Sequence, residues 1–243
     1  MEPPLLSIII PAFNEERRIV STLERVLAYL GSQSYAAEVL VVDDGSTDAT
    51  ATLVRRFEGD DSTVRLLTTA HRGKGHAVRV GMLQAQGRYR FLCDADLAMP
   101  IEQVQRFLPP ALTGVDVAVG SREAPTARRF NEPPYRHLMG RVFNAIVRLL
   151  AVRGIRDTQC GFKCYRGEIV EHLFGQQRLD GFGFDVEVLF IAQRSGLRLV
   201  EVPIDWHHQP ESKVRPVWDT VAMLRETVLV RWRHLRGRYR FSL

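Results

Sequence analysis

The stretch that decides the fold is an apolar run that ends in two carboxylates, Phe91-Leu92-Cys93-Asp94-Ala95-Asp96. The run from Tyr89 to Cys93 predicts a buried strand, which would deliver Asp94 and Asp96 to the carboxyl edge of a sheet, where ligands bind in open α/β folds. Residues i and i+2 of an extended segment point to one side, and Mg²⁺ takes one or two carboxylates together with substrate phosphates. The stretch therefore predicts a metal and diphosphate site, although a lone Asp-x-Asp more often marks a solvated acidic turn.

Alternating strands and helices surround this stretch. Continuous apolar runs predict strands buried on both faces at 5–10, 39–42 and 64–67. Apolar residues at helical spacing predict helices over 14–31, 48–57 and 76–86. Ser46 or Thr47 is expected to cap the second helix. The repeated β-α pattern implies an α/β fold with a parallel sheet and right-handed crossovers.

The second half of the chain is less regular. A strand is predicted at 115–119, before Ser121 and Arg122, and residues 123–134 predict a flexible loop near the site. A polar turn at 157–163 leads into a short strand. Further elements are a short helix at 101–108, helices at 135–152, 184–195 and 217–241, and a strand at 197–202. With no repeat or linker, one domain over residues 1–243 is the simplest organisation.

Composition limits the class of protein. A chain of 243 residues that is 45% hydrophobic can bury the core of one α/β domain. Its net charge of +5 suits an acidic small molecule, an anionic membrane or nucleic acid, but basic and aromatic residues interleave only in the tail, which argues against nucleic acid. Cys93, Cys160 and Cys164 lack zinc-site spacing and indicate a reducing compartment. No signal peptide and no apolar run of ~18 residues is visible, so we expect a cytoplasmic protein, soluble or peripheral to a membrane.

Polar groups follow four of the predicted strands at their carboxyl ends, at 11–15, 43–46, 94–96 and 121–122. A parallel sheet brings all of these ends to one edge, whereas random scatter would populate both edges. The combination suits a nucleotide diphosphate, with Arg122 or Lys74 neutralising its charge. The turn around Lys74 lacks the spacing of a P-loop, and no G-x-G-x-x-G follows the first strand.

Six short motifs occur along the chain. The motifs are Ile10-Pro11-Ala12-Phe13-Asn14-Glu15, Val41-Val42-Asp43-Asp44-Gly45-Ser46-Thr47-Asp48, Asp94-Ala95-Asp96, Gly120-Ser121-Arg122, Asp157-Thr158-Gln159-Cys160-Gly161-Phe162-Lys163 and Glu211-Ser212-Lys213. Each motif is weak alone, but together they are specific. In consistent order from residue 5 to about 230, the chain resembles the family-2 glycosyltransferases of GT-A fold, in particular the group that glycosylates dolichyl and other polyprenyl phosphates. Residues 72–75, 153–163 and 184–187 look closest to the glucosyl branch.

The resemblance implies a Rossmann-like, mostly parallel sheet flanked by helices, with a C-terminal amphipathic helix. It divides the single domain into a nucleotide-sugar-binding half at 5–122, an acceptor half at 123–213 and a basic amphipathic tail at 214–243. It also implies the residues that bind the nucleotide-sugar donor. These are Pro11, Phe13, Glu15, Val42, Asp44, Lys74, Asp94, Ala95, Asp96, Arg122, His207 and Lys213.

Within this set the resemblance implies that Asp94 and Asp96 hold Mg²⁺ or Mn²⁺ against the diphosphate. Arg122 and Lys213 would contact the donor phosphates or the phosphate of the lipid acceptor. Two positions depart from the mannosyl branch, which has an arginine where His207 stands. That branch also commonly has a glutamine metal ligand at the position of Ala98. Both departures favour the glucosyl branch or a relative of it over a mannosyltransferase.

The activity that the resemblance implies is inverting transfer of glucose from UDP-glucose to a polyprenyl phosphate, which gives a β-linked product. Arg122, Lys213 and Asp157 are the catalytic candidates. Asp157 is interpreted either as a base or acceptor-positioning group or as a cap on the turn before Gly161. The alternatives are a GDP-mannose-dependent transferase, a transferase with another lipid or soluble acceptor, and a non-catalytic nucleotide-sugar-binding module.

The tail allows two interpretations. Its arginines interleave with apolar and aromatic residues over 225–241, a pattern that suits an anionic membrane interface. A C-terminal helix packed on the core with a solvated basic face would show the same pattern. The helix at 135–152, with Arg136, Arg141 and Arg148, is a second candidate for membrane contact. We expect peripheral contact at the cytoplasmic face of a membrane, because the acceptor would be a lipid.

Overall fold

The computed structural model describes residues 3–209 and 216–242. The strands are β1 (Leu6–Ala12), β2 (Ala37–Asp43), β3 (Val64–Thr68), β4 (Tyr89–Leu92), β5 (Val117–Ser121), β6 (Arg128–Phe130), β7 (Lys163–Arg166), β8 (Leu199–Pro203) and β9 (Asp205–His207). The helices are α1 (Ile19–Gly31), α2 (Thr50–Asp60), α3 (Lys74–Gln84), α4 (Pro134–Leu150), α5 (Gly167–Phe174), α6 (Phe184–Arg194) and α7 (Pro216–Leu235), and a 3-10 helix spans Ile101–Phe107.

Seven strands form the central sheet, in the order β3-β2-β1-β4-β7-β5-β8. The β1–β2, β2–β3, β1–β4 and β5–β8 pairs are parallel, which confirms the predicted α/β fold with a mostly parallel sheet. β7 departs from this pattern, because it runs antiparallel to both of its neighbours. The chain therefore inserts a strand from its second half between β4 and β5.

The core lies in two layers, one on each face of the sheet. Ile8 and Ile10 of β1 belong to the layer beneath α1 and α2, whereas Ile9 belongs to the layer beneath α3, α5 and α6. Alternation along an extended strand accounts for this division. Because both faces of the sheet are covered, the sequence of a strand such as β1 is largely apolar rather than alternating between apolar and polar residues.

The predicted cap of the second helix was wrong. The Asp48 carboxylate accepts hydrogen bonds from the backbone N–H and the hydroxyl of Thr50, the first residue of α2. Ser46 and Thr47 instead bond to Asn14: the Ser46 hydroxyl accepts from the Asn14 N–H, and the Thr47 N–H donates to the Asn14 side chain. These bonds join the loops that follow β1 and β2, both of which reach the carboxyl edge of the sheet.

Two segments differ from the sequence prediction. The predicted flexible loop at 123–134 contains β6, which pairs with β9, and Arg129 forms ion pairs there with Glu123 and Glu132. The last helix ends at Leu235 rather than continuing to residue 241. Beyond its end the chain turns back, so that Tyr239 and Phe241 pack near the ring of Phe190. Among the residues described, no helix combines the length and apolar character needed to cross a bilayer.

Candidate active site

Two adjoining cavities open at the carboxyl edge of the sheet, with volumes of about 460 and 260 Å³. Lys74, Asp94, Asp96 and Phe182 line both cavities. Predicted site residues in the larger cavity are Pro11, Phe13, Glu15, Asp44, Lys74, Asp94, Ala95 and Asp96. Arg122 lines the smaller cavity. The structure therefore brings most of the predicted residues together at the predicted edge.

Three predicted site residues lie elsewhere in the described chain. Val42 is buried in the core and lines neither cavity. His207 stacks on Phe130 with ring centroids 4.5 Å apart, and its N–H donates to the Ala98 carbonyl oxygen. Asp157 has a fully buried side chain. Direct donor contact is thus unsupported for Val42 and His207, because each side chain is held by other parts of the protein. Lys213 falls outside the described residues.

The paired aspartates sit beside a lysine. Lys74 Nζ lies 2.6 Å from Asp94 Oδ1, and the Ala98 N–H donates to Asp96 Oδ1 over 3.0 Å. Burial and the neighbouring Asp94 carboxylate raise the pKa of Asp96 above its ordinary value. Burial acts to lower the pKa of Lys74, but the carboxylates of Asp94 and Asp185 raise it overall. One ammonium group does not balance the negative charge of two adjacent carboxylates, so the site can accept an additional cation.

This donor set fits a divalent cation of the Mg²⁺ or Mn²⁺ type. Both side chains supply hard oxygen atoms, and their mutual repulsion falls when a cation is bound between them. Across residues 3–209 and 216–242, no cluster of three or more histidine, cysteine or acidic side chains could hold a metal by itself. The remaining ligands would come from phosphate oxygens and water, as is usual for Mg²⁺.

The backbone at Gly161 presses against the first aspartate. A methyl group built at Gly161 would overlap the Asp94 carboxylate. Glycine is needed at this position because the turn after Asp157 passes directly over the carboxylate, not because of an unusual backbone conformation. The close approach fixes one side of Asp94 while Lys74 fixes the other.

We expect the substitution Gly161→Ala to displace Asp94 and lower the rate of sugar transfer by about 100-fold, since a misplacement of about 1 Å costs that much in catalysis. Steady-state kinetics would measure the loss. Gly140→Ala is the matched control, because a methyl group at Gly140 meets nothing within 4 Å. This helical substitution should leave turnover unchanged and raise stability by up to about 1 kcal/mol. Equal activity of both variants would contradict the positioning role of Gly161.

An aromatic pair forms one wall of the larger cavity. The rings of Phe13 and His71 are stacked, with centroids 4.1 Å apart and planes inclined by 15°. His71 Nδ1 lies 2.8 Å from Asp44 Oδ2, and the same carboxylate accepts the backbone N–H groups of Arg72 and Gly73. Asp44 therefore holds the 71–73 turn and orients the imidazole. His71 was not predicted as a site residue, because an isolated histidine in a turn carries no recognisable spacing.

Arg122, which lines the smaller cavity, forms an ion pair with the buried Asp157. Arg122 donates to Asp157 from its Nε (2.7 Å), its Nη2 (2.8 Å) and its backbone N–H (3.0 Å). Burial acts to raise the pKa of Asp157, but the Arg122 guanidinium lowers it overall. Asp157 lines neither cavity. This geometry argues against a base that touches the acceptor and favours a residue that positions Arg122, whose guanidinium also lies over the Trp206 ring.

Several residues that line the smaller cavity were not predicted as site residues, among them Phe182, Asp185 and Met223. Asp185 pairs with the fully buried Lys163 over 2.6 Å, and Lys163 Nζ also donates to the carbonyl oxygen of Cys160. The Lys163–Asp185 pair thus connects the turn at 157–162 to α6. Lys163 and Asp185 both lie in motifs that the sequence analysis singled out. Their burial could not be predicted from the sequence, because charged side chains are ordinarily exposed.

A carboxylate pair between two cavities, on the carboxyl edge of a mostly parallel α/β sheet, is the arrangement expected of an α/β protein of GT-A fold. The family model described as glycosyl transferase family 2 matches residues 7–174. The chain belongs to this family and is a glycosyltransferase, which confirms the resemblance drawn from the motifs.

Curated relatives extend the match over almost the whole chain. A dolichyl-phosphate beta-glucosyltransferase of Drosophila melanogaster is 36% identical over 98% of this chain and 77% of its own length. The human protein of the same name is 32% identical over 98% of this chain and 78% of its own length.

Solved structures support the fold. Glucosyl-3-phosphoglycerate synthase from Mycobacterium tuberculosis in complex with UDP has a TM-score of 0.67 at 22% identity, covering 97% of this chain and 80% of its own. The same enzyme was solved with Mn²⁺, UDP-glucose and phosphoglyceric acid, with a TM-score of 0.67 at 19% identity and coverage of 97% and 79%. At this identity the likeness establishes the GT-A fold.

Proposed function

We propose that this protein transfers glucose from UDP-glucose to a polyprenyl phosphate of the dolichyl type, with inversion, to give a β-linked lipid-phosphate sugar. The position of Asp94 and Asp96 between an aromatic-walled cavity and a second cavity bordered by Arg122 carries the proposal. The names of the curated relatives support both the sugar and the acceptor. The acceptor reaches the protein at the cytoplasmic face of a membrane in this proposal.

The larger cavity is assigned to the donor. Phe13 and His71 offer a flat surface to the base, and Asp44 holds that surface in place. Pro11, Glu15 and Ala95 complete the pocket around the nucleoside. Lys74 lies at the diphosphate, and Asp94 and Asp96 would hold Mg²⁺ or Mn²⁺. When bound, the cation neutralises charge on the diphosphate and so makes it a better leaving group.

The smaller cavity is assigned to the acceptor and the reacting sugar. A phosphate monoester is ionised at pH 7, so its oxygen attacks the anomeric carbon without prior loss of a proton. The new carbon–oxygen bond forms on the face opposite the diphosphate, whose oxygen leaves with the bonding electron pair. Arg122, oriented by Asp157, stabilises the developing negative charge. In this proposal Lys213 assists from the C-terminal side, and the chain divides into donor (5–122), acceptor (123–213) and tail (214–243) segments.

Donor selectivity tests this assignment. With Mg²⁺ or Mn²⁺ and a dolichyl phosphate, we expect turnover of UDP-glucose to exceed that of GDP-mannose by at least about tenfold, since pocket contacts to the wrong base and sugar leave polar groups unpaired. Radiolabelled sugar recovered in the lipid phase measures transfer, and a chelator provides the control for metal dependence. Faster transfer from GDP-mannose would favour a mannosyltransferase. Binding without turnover under every condition would favour a non-catalytic module.

A further inference from the structure

Three arginines line a separate cavity outside the proposed active site. Arg141 and Arg148 belong to α4, and Arg156 lies in the turn that follows it. With Glu123 and Asn144 they surround a space of about 170 Å³. None of these five residues lines the donor or acceptor cavity.

Positive charge in this cavity is not balanced by the protein. Among the residues that the structure describes, the three guanidinium groups have no ion pair and no side-chain hydrogen bond. The carboxylate of Glu123 is already shared between Arg129 and His137. Three like charges around one cavity repel one another, and an anion that enters removes this repulsion. Guanidinium groups match the oxygen atoms of a phosphate in geometry as well as in charge.

The same helix exposes apolar side chains next to the arginines. Leu149 is 80% exposed and Val142 is 53% exposed, whereas Phe143 and Val147 are buried against the core. Because seven residues complete almost two helical turns, Arg141 and Arg148 lie in one row along α4, and Val142 and Leu149 lie in the adjacent row. Leu149 and Val142 therefore give this exposed face of α4 an apolar row beside its arginines, rather than a uniformly polar surface.

The neighbouring C-terminal helix repeats this pattern. α7 packs against α4, and its exposed large apolar residues are Val221, Val228, Trp232 and Leu235. Their spacing of seven, four and three residues places them in one row along the helix. Two contacting helices therefore each carry an exposed apolar row, and arginines lie beside the row on α4.

We propose that Arg141, Arg148 and Arg156 bind the phosphate groups of anionic phospholipids while Val142 and Leu149 enter the membrane interface. Basic residues beside exposed apolar ones are typical of helices that lie in an anionic interface. A free phosphate would satisfy the arginines but would leave the apolar rows in water. The inference goes beyond the proposed sugar transfer, because the cavity shares no residue with the donor or acceptor cavity.

Vesicle co-sedimentation with the full chain tests the proposal. We expect the protein to bind vesicles of phosphatidylcholine with phosphatidylglycerol, and to bind vesicles of phosphatidylcholine alone far more weakly. Each arginine at an anionic surface strengthens binding by about fivefold, so the triple variant R141Q/R148Q/R156Q should bind on the order of 100-fold more weakly. The triple variant with lysine at these positions keeps the charge and should stay within about tenfold of the parent protein.

A matched variant controls for net charge. R55Q/R56Q/R88Q removes the same number of exposed arginines from other surfaces, and we expect it to bind vesicles within about threefold of the parent, because charges far from the membrane are screened. Equal losses in the two glutamine variants would overturn the proposal, as would equal binding to neutral vesicles. Protection against unfolding by inorganic phosphate without vesicle binding would also overturn it, in favour of a soluble anion.

Folding and donor binding are monitored separately. If R141Q/R148Q/R156Q fails to fold, the single variant R148Q is used, with an expected loss of about fivefold, and an unchanged affinity would contradict the proposal. Calorimetric binding of UDP-glucose should be the same in the parent and in the arginine variants. Loss of vesicle binding with donor binding intact supports the lipid site whether or not glucose proves to be the transferred sugar.

Discussion

Asp96→Asn is expected to lower the rate of sugar transfer by roughly 1000-fold, because a bound cation contributes several kcal/mol of transition-state stabilisation. The substitution keeps the size of the side chain and its acceptor for the Ala98 N–H. It removes one of the two carboxylates that are proposed to hold the cation, and Asp94 alone remains beside Lys74. Initial rates would be measured across a range of Mn²⁺ concentrations, together with Mn²⁺ affinity in the presence of UDP.

The two measurements distinguish a metal ligand from a residue that only shapes the pocket. If Asp96 is a metal ligand, the Asp96→Asn variant should lose both turnover and Mn²⁺ affinity. If Asp96 only shapes the pocket, the variant should lose donor affinity alone. Asp60→Asn is the matched control, since Asp60 is exposed at the end of α2 and should change neither quantity. Full turnover with unchanged Mn²⁺ affinity in Asp96→Asn would exclude this carboxylate as a metal ligand.

Asp157→Asn is expected to lower the free energy of unfolding by about 3 kcal/mol, the lower end of the range for breaking a buried ion pair. The Asp157 side chain is fully buried, whereas 21% of the Arg122 side chain is exposed. Water can therefore solvate part of the Arg122 charge that the substitution leaves without a partner. Turnover should fall as well, because Arg122 loses the partner that orients it. Urea unfolding and steady-state kinetics on the same preparation measure both effects.

A surface pair provides the comparison. Glu168→Gln breaks the exposed contact with Arg166 and should cost less than about 1 kcal/mol. If Asp157 were instead a base that touches the acceptor, its replacement would lower turnover without an appreciable loss of stability. That result would overturn the assignment of Asp157 as the residue that positions Arg122.

The stability of the parent protein should depend on pH in a defined way. The pKa of Asp157 in the folded protein lies below its usual value, which is about 3.9 in an unfolded chain. The ion pair therefore contributes its full stabilisation above about pH 4 and loses it as the pH falls through the lower folded value. The difference in stability between the parent and Asp157→Asn should stay constant from neutral pH to about pH 4 and shrink in stronger acid.

Sequence patterns predicted the part of the fold that builds the larger cavity. The apolar runs that became β1, β2, β3 and β4 are local signals. The carboxylate of Asp44 follows β2, and those of Asp94 and Asp96 follow β4. Parallel pairing then brings them to one edge without further information. For this reason the predicted edge and the observed cavity coincide.

The second half of the chain was harder to predict because its structure depends on contacts between distant residues. The direction of β7 follows from its neighbours in the sheet and not from its four residues. β6 and β9 have three residues each and form only because they pair with one another. The burial of Lys163 depends on Asp185, which is 22 positions away in the chain. Asp157 likewise shows its role only once Arg122 is beside it.

The antiparallel strand β7 has a consequence for how this enzyme could evolve or be engineered. Residues 163–166, from the proposed acceptor half, lie between β4 and β5, two strands of the proposed donor half. Removing them would leave β4 and β5 without their shared hydrogen-bonding partner. Exchanging the segment after residue 122 between relatives therefore replaces a central strand of the sheet. A hybrid enzyme should fold only when the incoming β7 matches the side chains of both flanking strands.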